Sequence, residues 1–366
     1  MPKLDSPLQL SPVFKQKIWG REDLSPLFSR PSVPDPKEAS SADRRKNPTP
    51  KNELMGEVWI TDDASRFLNA PLAGMTLAEA SATLGPELNG KKWTDSRFPI
   101  LAKYIYTSDW LSVQVHPDDA EARQYDPGNR GKCEMWYIVQ SDRKAEILLG
   151  LKSGVTKERL RAAFEKAASR KLLNRFRPKA GEAVYVPPGT VHALGPGLVL
   201  FEIEENSDLT YRLDDFGRVG LDGKPRPLHL DKGLAVTRVD LPPLRDLPRV
   251  ELRETYGSRR FVLACRDFAL EEVTLGRRGT FEGAPERVEI LSMLEGAGRV
   301  ETSAGWLGYR TGDTWLIPPS AGKYRLVPRR QTRLLKFYVP DLESDFRRPL
   351  LKRGVRAAKI NRIVFD

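Results

Sequence analysis

Short β-prone segments, each cut off by Gly, Pro or Asp, dominate this chain and constrain its fold more than any other feature. One series comprises residues 99–106 (PILAKYIY), 111–116 (LSVQVH), 134–139 (EMWYIV), 145–149 (AEILL), 183–187 (AVYVP) and 198–203 (LVLFEI). A second follows residue 234: 261–265 (FVLAC), 268–274 (FALEEVT), 288–294 (VEILSML), 314–318 (TWLIP) and 333–338 (RLLKFY). Runs this short, rich in β-branched and aromatic residues, pair as strands. Many of them with turn signals between predict a sandwich or barrel of the jelly-roll class. Only 76–84 and 156–176 carry the apolar spacing of helices, the second with Thr156 as its N-cap.

The two series repeat. GEAVYVPPGTVHAL from Gly181 aligns with GDTWLIPPSAGKYRL from Gly312, an offset of 131 residues that sets His192 opposite Lys323. The chain is therefore expected to be mainly β: two similar β-barrel halves with a few helices, only the first keeping a metal-type residue. The division is 1–235, 236–340, and a basic tail at 341–366. Residues 30–52, rich in Pro, Ser and charge, read as a flexible loop.

Composition excludes several classes. No apolar run approaches the roughly 18 residues of a membrane span, and the first residues lack a secretory signal. Two cysteines, Cys133 and Cys265, make no disulfide framework and fit a reducing cytoplasm. The formal charge of +11 favours an anionic partner. The basic run at Arg347–Arg362 reads as a solvated tail rather than a nucleic-acid site.

Three histidines occur in 366 residues, and two stand where a barrel can bring donors together. Ser112, Gln114 and His116 alternate along one strand and share a face. Glu134 opens an otherwise apolar strand, a poor place for a carboxylate without a partner. His192 follows a Pro-Pro-Gly turn. Two imidazoles, a carboxylate and an amide oxygen suit Zn²⁺, and the same donors admit Fe²⁺ or Mn²⁺. His229 has no comparable context and reads as structural.

Residues 181–192 match the second cupin motif, G-x5-P-x-G-x2-H, through Gly181, Pro187, Gly189 and His192. The strings LSVQVHPDD, GKCEMWYIV, VPPGTVHALGPG and EIEENSDLTYRLDDFGR resemble type I mannose-6-phosphate isomerases, most of all the compact bacterial form. The resemblance covers most of residues 13–235. It implies one zinc ion held by Gln114, His116, Glu134 and His192, and two cupin halves. It further implies catalytic roles for Arg212, Glu202 and Lys132, and substrate or phosphate contacts for Ser112, Lys132 and Asp208. On residues alone Arg212 would read as an ion-pair partner of Asp214 or Asp215. Many members carry His where this chain has Gly131, so a proton-transfer role for that His cannot apply here. Cys133, between Lys132 and Glu134, should face away from the site by alternation.

The resemblance thus implies a cytoplasmic enzyme, monomeric, acting on a small sugar phosphate. It would interconvert mannose 6-phosphate and fructose 6-phosphate by proton transfer through an enediol. Glu202 is the first candidate base, since Lys132 would need a depressed pKa to serve. Two alternatives belong to other classes: a non-catalytic sugar-phosphate-binding cupin, and a metal-dependent cupin oxygenase.

Overall fold

The computed structural model describes residues 3–28, 54–166 and 168–366; the loop expected at 30–52 lies outside them. Strands β1 (Leu8–Leu10), β2 (Val13–Arg21) and β3 (Met55–Trp59) open the chain. The next eight are β4 (Ile100–Tyr106), β5 (Val113–Val115), β6 (Glu134–Ser141), β7 (Ile147–Leu151), β8 (Leu173–Phe176), β9 (Ala183–Val186), β10 (His192–Leu194) and β11 (Leu198–Glu205). Then come β12 (Tyr211–Asp214), β13 (Val250–Glu254) and β14 (Gly257–Ala264). A second eight follows: β15 (Ala269–Leu275), β16 (Phe281–Gly283), β17 (Glu289–Glu295), β18 (Ala297–Thr302), β19 (Gly305–Arg310), β20 (Thr314–Ile317), β21 (Tyr324–Pro328) and β22 (Thr332–Tyr338).

The repeat read from one matched segment extends through both sets. In the first half one sheet runs β4-β11-β6-β9, extended at β4 by β3 and β2, and the other runs β5-β10-β7-β8 with β12 at its edge. In the second half β15-β22-β17-β20 and β16-β21-β18-β19 keep the same order with every strand eleven places later. This is the jelly-roll ordering, made twice. The first strand crosses the division at residue 235: β1 pairs with β20 and so adds to the second half's sheet.

Alternation along the strands decides what each face does. In β6, Cys133 (just before it), Met135 and Tyr137 enter the core shared by the two halves, whereas Trp136 and Ile138 pack inside the first half. Cys133 therefore packs away from the site, as alternation predicts. The shared core joins the two large sheets, with Phe201 against Phe337 at a ring separation of 5.3 Å.

Two expectations are corrected. The helical reading of 156–176 holds for α3 (Lys157–Glu165; α1 is Leu77–Asn89 and α2 Asp119–Tyr125) and a 3₁₀ turn at Ser169–Leu172, and fails at the end of the segment. Thr156 does cap α3, accepting from the Arg159 N–H. Leu173–Phe176, however, is taken as β8 by pairing with β7, because the jelly roll needs that strand to cover its sheet. The segment 341–366 is no solvated tail. A π-helical turn, Leu342–Arg347, leads into short helices (Arg348–Lys352 and Ala357–Ile360) whose Phe346, Leu350, Ile360 and Ile363 pack with Val250 and Phe261. Its cations are partly neutralised in place: Arg347 pairs with Glu343 and Asp366, and Arg353 with Glu254. No helix among the described residues is long and apolar enough to cross a membrane.

Candidate metal centre

Both sheets of the first half deliver donors to one point. In the smaller sheet β5 lies between β12 and β10, so Gln114 stands opposite His192 on one side and Arg212 on the other. His116 follows β5 directly. From the larger sheet Glu134 opens β6, opposite Glu204 of β11. His192 is aimed by its turn, where Gly189 has φ +84° and a side chain would strike Arg238 and the Val236 carbonyl. The Gly189 N–H donates to the His116 carbonyl at 2.8 Å, tying the two histidine segments together.

His116 Nε2 lies 3.0 Å from Glu134 Oε1, and His192 Nε2 lies 3.7 Å from Glu134 Oε2. All three side chains are buried. Each imidazole donates from Nδ1 to a backbone carbonyl at 2.9 Å, His116 to Leu209 and His192 to Thr190. That fixes the tautomer in which Nε2 keeps its lone pair. Gln114 Nε2 is 3.2 Å from His192 Nε2; turning the amide over presents its oxygen to the same point. Among the described residues His116 Nε2 and both Glu134 oxygens make no hydrogen bond of good geometry, and the approaches of His116 and Lys132 to Glu134 Oε1 are ion-pair contacts. Buried polar atoms without partners are rare, and these are the atoms a metal would satisfy. Burial pushes His192 down to about 4 despite Glu134, so its imidazole is neutral at pH 7. Burial works against the charge of Glu134, but His116 and Lys132 outweigh it and hold the carboxyl well below its ordinary range. The residues fit a divalent metal.

Beside the donors lies a buried cluster of charge. Lys132 Nζ contacts Glu134 at 3.1 Å and Glu204 at 2.9 Å. Lys103 Nζ contacts Glu204 at 2.9 Å and Glu202 at 3.1 Å. Asp208, more than half exposed, stands 3.6 and 3.8 Å from the two ammonium groups. Desolvation opposes its charge, yet Lys103 and Lys132 hold it below the ordinary value. In their charged forms two lysines face four carboxylates, leaving two negative charges for a divalent cation to balance. Burial raises the Glu204 carboxyl against the pull of both lysines; a cation at the Glu134 end favours its charged form.

Arg212 is not an ion-pair partner of its neighbours. Asp215 is taken by Arg218 and Arg226, and Asp214 accepts from Ser169 and the Phe216 N–H. Arg212 donates to the Pro227 carbonyl, and its buried Nε has no partner. Burial and Arg226 lower its pKa. Ser112 is buried and donates to the Gln114 side chain at 3.3 Å. Gly131 has a physical reason: a side chain there would collide with the backbone of Asp118 and Asp119.

Lys103 and Glu204 escape a reading of single segments, because what marks them is the cross-strand register of β4 with β11 and of β11 with β6. The second half shows the same position without histidine, keeping only the carboxylate. Tyr324, first residue of β21, sits as His192 does in β10, one residue past the expected Lys323, because a 3₁₀ turn at Pro319–Ala321 lengthens the connection. Lys323 itself is exposed. The Tyr324 hydroxyl donates to Glu289 at 2.7 Å, and Glu289 opens β17 as Glu134 opens β6. A cavity of about 870 Å³ lies elsewhere, between the end of α1 and the second half, and its lining surface is mostly apolar.

A family model described as phosphomannose isomerase type I, catalytic domain, matches residues 8–151. The mannose-6-phosphate isomerase ManA of Bacillus subtilis is 32% identical over 328 residues, 87% of this chain and 95% of its own length. A mannose-6-phosphate isomerase of Streptococcus mutans is 31% identical over 318 residues, 85% of this chain and 92% of its own. A crystal structure of the Bacillus subtilis mannose 6-phosphate isomerase superposes with a TM-score of 0.77 at 27% identity, covering 91% of this chain and 100% of that one. With a relative above 30% identity matched over almost its whole length, and the same jelly-roll architecture, this chain belongs to the type I phosphomannose isomerases.

Proposed function

We propose that this chain is a zinc-dependent aldose–ketose isomerase that interconverts mannose 6-phosphate and fructose 6-phosphate through an enediol intermediate. The observation that carries this reading is the convergence of His116 Nε2, the Glu134 carboxylate and His192 Nε2 in one buried pocket, with Gln114 opposite His192. Zinc would be held by Gln114, His116, Glu134 and His192, where it would supply positive charge to polarise the sugar carbonyl. We place the enzyme in the cytoplasm as a monomer.

The protein's own groups divide the remaining work. Glu202 is the base: Trp136 Nε1 donates to its Oε2 at 3.0 Å and Lys103 holds its Oε1, so its position is fixed. It takes the proton from one of C1 and C2 and returns it to the other. Lys132 is not the base. Burial disfavours its charge, but Glu204 outweighs that and holds the ammonium above its ordinary value. Paired on two sides and buried, Lys132 is also poorly free for a phosphate; its place is beside the reacting carbons, with Asp208 and Ser112 lining the approach. Arg212, with no carboxylate partner, adds positive charge for the enediol oxygens.

Incubation of the zinc-loaded protein with mannose 6-phosphate in D₂O, read by NMR, tests this reading. Fructose 6-phosphate carrying deuterium at the exchanging carbon is expected. Binding of the sugar phosphate without conversion would make the chain a binding module instead.

A further inference from the structure

We propose that Glu204 is a positioning residue that joins Lys103 and Lys132 into one paired cation and so couples the base to the metal centre. This rests on the isomerase reading above. Five side chains form a line in which carboxyl and amino groups alternate: Glu202, Lys103, Glu204, Lys132, Glu134. The successive contacts are 3.1, 2.9, 2.9 and 3.1 Å. Glu204 is the middle member and fully buried, and it spends one oxygen on each lysine.

Backbone register builds this line. In β11, Glu202 and Glu204 point to one face, and Glu202 stands opposite Lys103 of β4 while Glu204 stands opposite Glu134 of β6. Lys132 precedes β6 and reaches back to the same carboxylate. Without Glu204 the two ammonium groups would share a buried space bridged only, among the described residues, by the more distant and largely exposed Asp208, and their repulsion would move them apart. Lys103 is anchored on its other side by Glu202 and by the Trp59 ring, 4.7 Å away. Lys132 has only Glu134 and the more distant Asp208. The loss of Glu204 therefore displaces Lys132 more than Lys103, and a displaced Lys132 changes both the reacting carbons' surroundings and the Glu134 carboxylate. In this role Glu204 acts through the two lysines it contacts.

The test compares wild type with Glu204→Gln and Glu204→Asp, all zinc-loaded, by steady-state kinetics, zinc content and crystallography. Glu204→Gln keeps shape and hydrogen-bonding oxygen but not charge. It should lower kcat on the order of 10–100-fold with KM within about 3-fold, keep one zinc per chain, and show Lys132 Nζ displaced. Glu204→Asp should recover part of the lost kcat. A kcat within about 2-fold of wild type, or both lysines unmoved in the crystal, would overturn the proposal. Loss of zinc in Glu204→Gln with both lysines in place would also overturn it, making Glu204 a support of the metal alone. Wild type inert toward mannose 6-phosphate would sink the isomerase reading, while the lysine positions in the two crystal structures would still decide the role of Glu204.

Discussion

At the scale of single residues, burial sets the chemistry. Glu205 neighbours the site without belonging to it; it is buried, and desolvation with Asp267 and Asp119 raises its carboxyl to about 7. The unfolded chain releases that proton near the ordinary value of 4.5, so between about pH 4.5 and 7 the folded state binds more protons. Stability from this group is present at low pH and lost as pH rises through that window. Glu205→Gln should leave stability at pH 4 nearly unchanged and raise it at pH 8 by up to about 3 kcal/mol, measured by urea unfolding. That Gln114, His116, Glu134 and His192 come together was legible in the sequence, because alternation sets Gln114 and His116 on one face, a carboxylate opening an apolar strand needs a partner, and His192 follows a Pro-Pro-Gly turn. Arg212 was legible only through the family strings, since its neighbours Asp214 and Asp215 are the obvious partners until Arg218 and Arg226 are seen to claim Asp215. Lys103 and Glu204 were not legible, because ILAKYIY and LVLFEIEE read as ordinary buried strands until β4, β11 and β6 are placed side by side.

At the scale of elements, most strands were legible from their length and boundaries, and the errors lie where local spacing competes with sheet pairing. Leu172 keeps a helical turn, but at Leu173, which continues the apolar rhythm of Leu160 and Phe164, pairing with β7 overrides it. The cap at Thr156 follows local chemistry alone, so Thr156→Ala should cost about 1 kcal/mol in thermal or urea unfolding. The second half tests the repeat. Tyr324→Phe removes the hydroxyl that donates to buried Glu289 and should destabilise by about 1–3 kcal/mol, with zinc content and turnover unchanged. Loss of zinc in that variant would place a metal role in the second half.

At the scale of the whole molecule, the two jelly rolls share one core and are expected to unfold together. Their large sheets share a core that runs from Tyr104 through Phe201 to Phe337. Phe337→Ala should cost about 3–5 kcal/mol and lower the stability of both halves in one transition by calorimetry. The two-half plan was legible from one repeated segment, because strand, Pro-Pro turn and spacing recur together. The packing of 341–366 was not, because its few apolar residues are scattered among cations and find their core only in Val250 and Phe261. The central claim, that this buried donor set holds the zinc on which isomerisation depends, is tested most directly by a coupled assay of mannose 6-phosphate turnover on chelator-stripped protein, with zinc then added back to wild type and to His192→Ala. Wild type should lose activity on stripping and regain it with one zinc per chain, while folded His192→Ala should regain neither metal nor turnover. Turnover that survives stripping, or full activity in His192→Ala, would contradict the account.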